Sequence, residues 1–312
     1  MNDPNRLQRH WQHRRCLVTG AAGFIGTALC DRLRALGAEV HAYARSASQD
    51  GSIGACDVAE LQAVRSAFNH ARPQLVFHLA SRVSGARSVD LVLPTLQSNL
   101  VGTVHVLLTA LEHDAPKVVC MGSLQEPDQQ LPPVPNCPYA AAKFAASAYA
   151  RMFAEVLALP VIIARLFMVY GAGQLDLTKL VPNVLTQILL GREVAMSSGA
   201  QTFDWIYIDD VVDALLAAAE APAAVGKTID IGCGTLISAH DIAMGLATRL
   251  GRADALRFGA LPDRRLEPTR HADLQATAQL INWRPRVSLD AGLDRSVSWY
   301  RERFGSERAG AR

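Results

Sequence analysis

The chain has 312 residues, enough for one large domain or two unequal lobes at ~100–200 residues per domain. Hydrophobic residues make up 50% and charged residues 19%, against about 25% charged in an average chain, so disorder is excluded and a well-filled core is implied. With 31 basic and 29 acidic residues the net charge is +2, which gives no electrostatic case for a nucleic-acid partner.

The first fifteen residues are polar, hold no apolar signal core and read as a frayed leader. Short apolar runs follow at Cys16–Gly20, Glu39–Ala44, Ile53–Asp57, Gln74–Ala80, Lys117–Ser123 and Val161–Leu166, the pattern of strands buried on both faces. Between them Ile25, Leu29, Leu33 and Leu36 share one helical stripe, with Gly37 as its stop. Further helices are expected near Val58–His70, Thr95–Leu111 and Tyr139–Leu159. This alternation predicts an α/β fold, a doubly wound parallel sheet of the Rossmann type. After residue 171 the rhythm changes. A helix is expected near Leu180–Leu190, a strand at Trp205–Ile208, a helix at Asp209–Ala219 and a strand at Thr228–Ile231. Leu250–Pro285 is weakly periodic and rich in Arg and Pro, and Arg301–Arg312 reads as a polar tail. The division expected is a Rossmann domain over 14–171, to which 203–232 returns, and a smaller C-terminal substrate lobe over 172–202 and 233–304. No stretch approaches the ~20 apolar residues of a bilayer span, so no membrane partner is expected. The six cysteines form no CxxC pair and the nine histidines no cluster, so neither a disulfide framework nor a metal site is expected. Reduced thiols suit the cytoplasm.

Thr19-Gly20-Ala21-Ala22-Gly23-Phe24-Ile25-Gly26 joins the first strand to the first helix. Glycine removes the Cβ where backbone approaches a pyrophosphate, and the helix N-terminus offers free N–H groups. Gly20, Gly23, Phe24, Ile25 and Gly26 are therefore candidate cofactor-binding residues. A protein that prefers NAD usually ends its second strand in an acid that takes the ribose hydroxyls. Here the strand ends in Ala44, with Arg45 and Ser46 beside it, a pair suited to a 2′-phosphate. NADP(H) is expected, with NAD as the other possibility. Asp57, beside Val58, either accepts from the adenine amino group or caps the next helix. Leu79, Ala80 and Ser81 end the fourth strand where open parallel sheets bind ligands, with Ser84 on the sugar side.

Pro138-Tyr139-Ala140-Ala141-Ala142-Lys143 opens an alanine-rich helix with Tyr139 and Lys143 on one face. A phenol titrates near pH 10, and a neighbouring ammonium favours the phenolate, so the spacing predicts a lowered pKa for Tyr139. Ser123 is placed to hydrogen-bond the reacting oxygen. In this order and spacing, the chain resembles the extended short-chain dehydrogenase/reductases, in the branch of nucleotide-sugar epimerases, dehydratases and reductases. The resemblance spans roughly residues 15–304. It rests on the Thr19–Gly26 loop, Asp57, His78-Leu79-Ala80, Asn99, Ser123, Tyr139 with Lys143, Arg165–Gly171 and Trp205–Asp210. It implies that Ser123, Tyr139 and Lys143 form the catalytic set and that a hydride moves between a sugar carbon and nicotinamide. It also implies a nucleotide-sugar substrate and a homodimer through the helices near Thr95–Leu111 and Tyr139–Leu159.

Departures from the family pattern narrow the chemistry. Dehydratases carry Asp-Glu after the catalytic Ser or Thr, where this chain has Leu124-Gln125, although Glu126 could reach the site from a shifted loop. With no acid ending the second strand, the expected function is NADPH-dependent reduction of a keto-sugar nucleotide at its 4-keto position. The alternatives are a nucleotide-sugar 4-epimerase that retains NAD, and a non-catalytic NADP sensor. The family's Asn after Arg165 is missing, and Phe203 stands where an Arg often holds the diphosphate, so Lys179 and Arg264 are the expected substrate cations. His78 is expected as a satisfied core residue, Asn99 as a holder of local backbone, and Asp209 and Asp210 as caps of their helix.

Overall fold

The computed structural model describes residues 9–114, 116–127, 133–263 and 269–305. Its strands are β1 (Arg15–Thr19), β2 (Glu39–Ala44), β3 (Gly54–Ala55), β4 (Leu75–His78), β5 (Lys117–Ser123), β6 (Val161–Leu166), β7 (Met168–Tyr170), β8 (Val194–Ala195), β9 (Thr202–Tyr207), β10 (Thr228–Ile231), β11 (Leu236–Ser238) and β12 (Leu256–Arg257). The main helices are α1 (Phe24–Ala35), α2 (Leu61–Ala71), α3 (Val89–Glu112), α4 (Pro138–Glu155), α5 (Leu180–Leu189), α6 (Ile208–Glu220), α7 (Ala239–Arg249), α8 (Leu274–Ile281) and α9 (Leu289–Gly305). They form two compact units. The first comprises Met1–Leu166, Val212–Asp230 and Gln275–Trp283, the second Phe167–Val211, Ile231–Leu274 and Arg284–Arg312.

The first unit is built on a seven-stranded sheet in the order β10-β6-β5-β4-β1-β2-β3. The pairs from β3 through β6 are parallel, as the two-faced burial of β4 and β5 requires. This is the Rossmann-type doubly wound arrangement expected from the alternating pattern. Parallel pairing brings Thr19, Ala44, His78 and Ser123 to one edge. Val64 and Phe68 of α2, Val106 and Leu107 of α3 and Phe153 of α4 pack into one core with Leu17, Val76, Val118 and Ile163 of the strands.

Four expectations for this unit need correction. The leader is not frayed up to residue 15. Trp11 is fully buried, stacked on Phe77 at 6.4 Å, with its indole N–H donated to Glu220 and the Arg14 guanidinium over its ring. The strand read at Ile53–Asp57 shrinks to two residues, because only Gly54 and Ala55 pair with β2. The helix read from Thr95 begins at Val89, and Leu96–Val101 within it is π-helical. The added turn makes Val89–Glu112 long and apolar enough, by length and composition alone, to cross a membrane, contrary to the sequence reading. Here α3 packs against α2 and α4.

In the second unit β9 pairs parallel with β7 and antiparallel with β11, and β8 pairs with β12. The segment 203–232 therefore does not return whole to the main sheet. Its strand Thr202–Tyr207 belongs to this small sheet, and Val212–Asp230 to the first unit. Conversely Gln275–Trp283, read as part of the lobe, joins the first unit, where the Thr277 hydroxyl bonds the backbone of Asp230. Buried Asp204 accepts the N–H groups of Cys233, Gly234 and Ala272 and so pins three segments. Asp210, expected to cap its helix, also reaches the segment before α9. Both its oxygens are taken by the N–H groups of Arg286 and Val287, each at 2.9 Å, while Asp209 pairs with Arg295 at 3.0 Å.

Candidate active site

The turn after β1 is shaped for a phosphate group. Gly20 has φ +71°, and a Cβ there would lie 2.6 Å from the amide nitrogen of Ala80. A Cβ on Gly26 would lie 2.2 Å from the Gly20 carbonyl oxygen. Any side chain at either place forces backbone apart. Gly23, in extended conformation, precedes α1 with no side-chain cap, and the first turn holds no acid, so its N–H groups suit an anion. Phe24 and Ile25 are half-buried in that turn.

Residues expected to complete the cofactor site fall around the same edge. Arg45 and Ser46 are exposed after β2. Asp57 accepts the Ala59 N–H at 3.0 Å, so it stabilises a local turn rather than capping α2, whose N-cap is Glu60. Val58 is buried beneath α3, where its carbonyl meets His105 Nδ1 at 3.0 Å. Leu79 and Ala80 donate to the backbone and hydroxyl of Thr19, each at 3.2 Å, which ties β4's end to the turn. Ser81 Oγ is buried and meets no protein partner, an orphan that a bound ligand would satisfy. A nicotinamide dinucleotide fits these residues through the glycine cradle, the bare helix terminus and that hydroxyl. Ser84 is half-buried, with its hydroxyl on the Ala86 N–H.

Behind this loop, fully buried Asn99 takes the Arg82 N–H at 2.7 Å and returns a bond to the Arg82 carbonyl at 3.0 Å. It holds local backbone and is the buried residue of the π-helical turn. His78 lies buried between Thr19 and Thr103, at 2.8 and 3.0 Å, and burial pushes its pKa down to about 3.

Ser123 ends β5, and Tyr139 and Lys143 sit on the first turns of α4, all three buried. Cys137 caps α4 by accepting the Ala140 N–H, and Pro138 follows at the first helical position. Ser123 Oγ accepts the Gln125 N–H at 3.2 Å, which leaves its proton for the Tyr139 oxygen, its hydrogen-bond partner. Lys143 Nζ donates to the Met121 carbonyl at 2.9 Å. The lowered Tyr139 pKa expected from the spacing is not found. Burial pushes the phenol up to about 12, Glu126 and Cys137 add to the rise, and only the Ser123 bond opposes it. The ammonium is turned to a carbonyl, so its proximity along the helix does not become a bond to the phenol.

Glu126, the acid that a shifted loop could bring to the site, is in it. It is buried, its Oε1 accepts the Ser123 N–H at 2.7 Å, and its charge bears on both Tyr139 and Lys143. Leu124 is buried and Gln125 engages Cys137, so neither offers an acid. Of the two cations expected to meet the substrate, Lys179 belongs to the second unit. Lys179 is half-buried at the N-cap of α5, and Arg264 lies outside the described residues. Arg165 pairs with Asp230 at 3.4 Å.

A sequence model described as the NAD dependent epimerase/dehydratase family matches residues 16–232. The UDP-glucose 4-epimerase of Mycolicibacterium smegmatis is 29% identical, over 93% of this chain and 99% of its own. A dTDP-glucose 4,6-dehydratase of Actinoplanes sp. is 29% identical, over 91% of this chain and 97% of its own. Among solved structures, the UDP-glucose 4-epimerase of Thermus thermophilus in complex with NAD superposes with a TM-score of 0.82 at 25% identity, covering 92% of this chain and 99% of that one. The UDP-glucose 4-epimerase of Thermotoga maritima with UDP-glucose gives 0.83 at 26% identity, with coverage of 92% and 99%.

Proposed function

The chain belongs to the NAD dependent epimerase/dehydratase family of extended short-chain dehydrogenase/reductase enzymes, and from that premise we propose that it is a nucleotide-sugar 4-epimerase that retains its coenzyme. As an enzyme it is not the non-catalytic sensor that was the third expectation. The observation that carries the proposal is the buried Ser123–Tyr139 pair with Lys143 one helical turn on, at the sheet edge that also holds the glycine cradle.

A bound nicotinamide dinucleotide supplies a hydride acceptor and donor and a cationic ring when oxidised. Gly20, Gly23 and Gly26 admit its pyrophosphate, and Ser81 offers it a hydroxyl. Tyr139 takes the proton from the sugar hydroxyl and later returns it. Ser123, whose hydroxyl bonds the Tyr139 oxygen while accepting from Gln125, is placed to turn that proton to the sugar oxygen when substrate is bound. Lys143 brings a buried positive charge within one turn of the phenol. Because the coenzyme ends as it began, the net change is inversion at one carbon. Dehydration is disfavoured because the residues after Ser123 are buried Leu124 and amide-bearing Gln125, and Glu126 is folded onto the Ser123 N–H.

The coenzyme is NAD in this proposal, as in the Thermus thermophilus relative. One observation favours a second reading, an NADPH-dependent 4-keto reductase. Arg45 and Ser46 stand exposed where an NAD enzyme usually carries an acid. Lys179 and Arg264 are our proposed diphosphate contacts. We also place a second copy of the chain on the apolar face of α3 and α4, and the protein in the cytoplasm, which suits its unpaired cysteines.

The test is to denature the purified protein and assay what is released, then to give the native protein UDP- and dTDP-hexoses without added coenzyme. Bound NAD and interconversion of 4-epimers are expected. Replacing Tyr139 by Phe is expected to lower turnover by a factor on the order of 10³ with coenzyme retained. Absence of bound coenzyme, together with NADPH consumption on a 4-keto-sugar nucleotide, would move the assignment to the second reading.

A further inference from the structure

The loop after β5 is folded back on itself. The Glu126 N–H donates to the Ser123 carbonyl at 3.1 Å, and the carboxylate returns to accept the Ser123 N–H at 2.7 Å. Ser123 is thereby held at both of its backbone groups by one residue. The space for this carboxylate is made by the neighbouring residue. A Cβ on Gly122 would lie 2.9 Å from Glu126 Oε1 and 3.1 Å from Ile163 Cγ2. Gly122 and Glu126 are thus one arrangement, and a side chain at 122 displaces the acid.

A buried carboxylate is costly unless something answers its charge. Lys143 answers it. Burial lowers the proton affinity of the ammonium, and Glu126 opposes that fall. The other groups facing this pair carry little charge. His78 on β4 is held neutral, the Cys120 thiol on β5 is pushed up to about 12, and Arg165 on β6 is paired with Asp230. Cys137 faces Tyr139 from the cap of α4.

We propose that Glu126 is a positioning residue of the catalytic site: seated beside Gly122, it fixes the backbone of Ser123 and supplies the counter-charge that sets the proton balance between Lys143 and Tyr139. The proposal rests on the Ser123, Tyr139 and Lys143 assignment and on nothing about the sugar. Its sign follows from charge alone. A nearby anion makes a phenolate harder to form, so removing it lowers the pH at which Tyr139 gives up its proton.

The test replaces Glu126 by Gln, which keeps an oxygen for the Ser123 N–H and deletes the charge. Two quantities are read. One is the pH profile of turnover, whose Tyr139 limb is expected to move down by about one pH unit. The other needs no turnover. The tyrosinate absorbance of NAD-saturated protein is titrated, and the same titration in a Tyr139→Phe background is subtracted to isolate one of the six tyrosines. That difference curve is expected to shift the same way. A role confined to holding the loop would leave both curves in place, because the substituted amide preserves the bond. If Glu126→Gln does not fold, Gly122→Ala, which pushes the acid off its seat, is expected to give the same downward shift. An unmoved or upward-moved titration in the folded variant overturns the proposal. Failure to turn over any sugar nucleotide would sink the function proposed above and leave this titration decisive.

Discussion

Around His78 the direction of every hydrogen bond is fixed by its neighbours. The Thr103 hydroxyl donates to the Asn99 carbonyl, so it must accept from His78 Nε2. Thr19 accepts the Ala80 N–H and has its own proton to give to Nδ1. The ring is neutral and serves as a rivet between β1, β4 and α3. Its pKa lies near 3, far below its ordinary 6.5, through burial first and the Lys143 charge second. The unfolded chain therefore gains a proton below pH 6.5 that the folded chain refuses. Stability is present in full above about pH 6.5 and is lost as pH falls towards 3. A loss of a few kcal/mol across this window is expected. Replacing His78 by Gln is expected to lower the melting temperature at pH 8 but to flatten its decline between pH 6.5 and 4. An equally steep decline in that variant would show that other groups set the acid limit. Composition and spacing are enough to place His78 and Asn99 as structural residues. They are not enough for Tyr139, because a spacing of four reports which face a lysine shares and not where its ammonium turns. Glu126 escapes for a similar reason, since its reach depends on a four-residue turn that folds back. The one legible hint is a glycine at 122 just ahead of the serine.

At the scale of elements, the β1–turn–α1 unit is the most legible piece, because glycine spacing and a helical stripe are local signals. Its steric basis yields a sharp expectation. In Gly26→Ala the new Cβ meets the Gly20 carbonyl at 2.2 Å, backbone against backbone, with no flexible side chain to yield. The turn must open, at a cost of about 1–3 kcal/mol in stability. Affinity for the dinucleotide is expected to fall at least about tenfold, as roughly 1.4 kcal/mol of misplacement implies. Calorimetric titration with NAD beside a thermal melt checks both, and unchanged affinity would show that the turn does not hold the pyrophosphate. Less is legible where structure depends on partners. A 3.6-residue period hides the π-helical insertion at Leu96–Val101, which adds a residue without breaking the apolar pattern. The pairing of β9 with β7 and β11 is a long-range choice, so the sequence shows a strand at Trp205 but not the sheet it joins.

For the whole molecule the uneven quantity is apolar surface. The helical run Val89–Glu112 is strongly apolar, yet only about a third of its most apolar stretch is buried. Val89, Leu93 and Leu96 stand exposed on it, and Tyr149, Met152 and Val156 on α4 and its C-terminal cap, packed beside it. Between the two helices runs a groove of about 370 Å³ lined by Leu96, Leu100, Pro138 and Ala142. Apolar side chains exposed together on two neighbouring helices are expected to meet a partner, and a net charge of +2 gives like chains little reason to repel. The same α4 carries Tyr139 and Lys143 on its buried side. A partner helix on its outer side would therefore stiffen the catalytic turn from behind without adding a residue to it. Light scattering on the purified protein is expected to give the mass of two chains. The pair Leu93→Glu and Met152→Glu is expected to weaken association by about 2–3 kcal/mol, roughly a hundredfold, enough to yield monomers at micromolar concentration. If the unmodified chain is monomeric at tens of micromolar, that face has another occupant. If the double variant stays dimeric, the copies meet elsewhere.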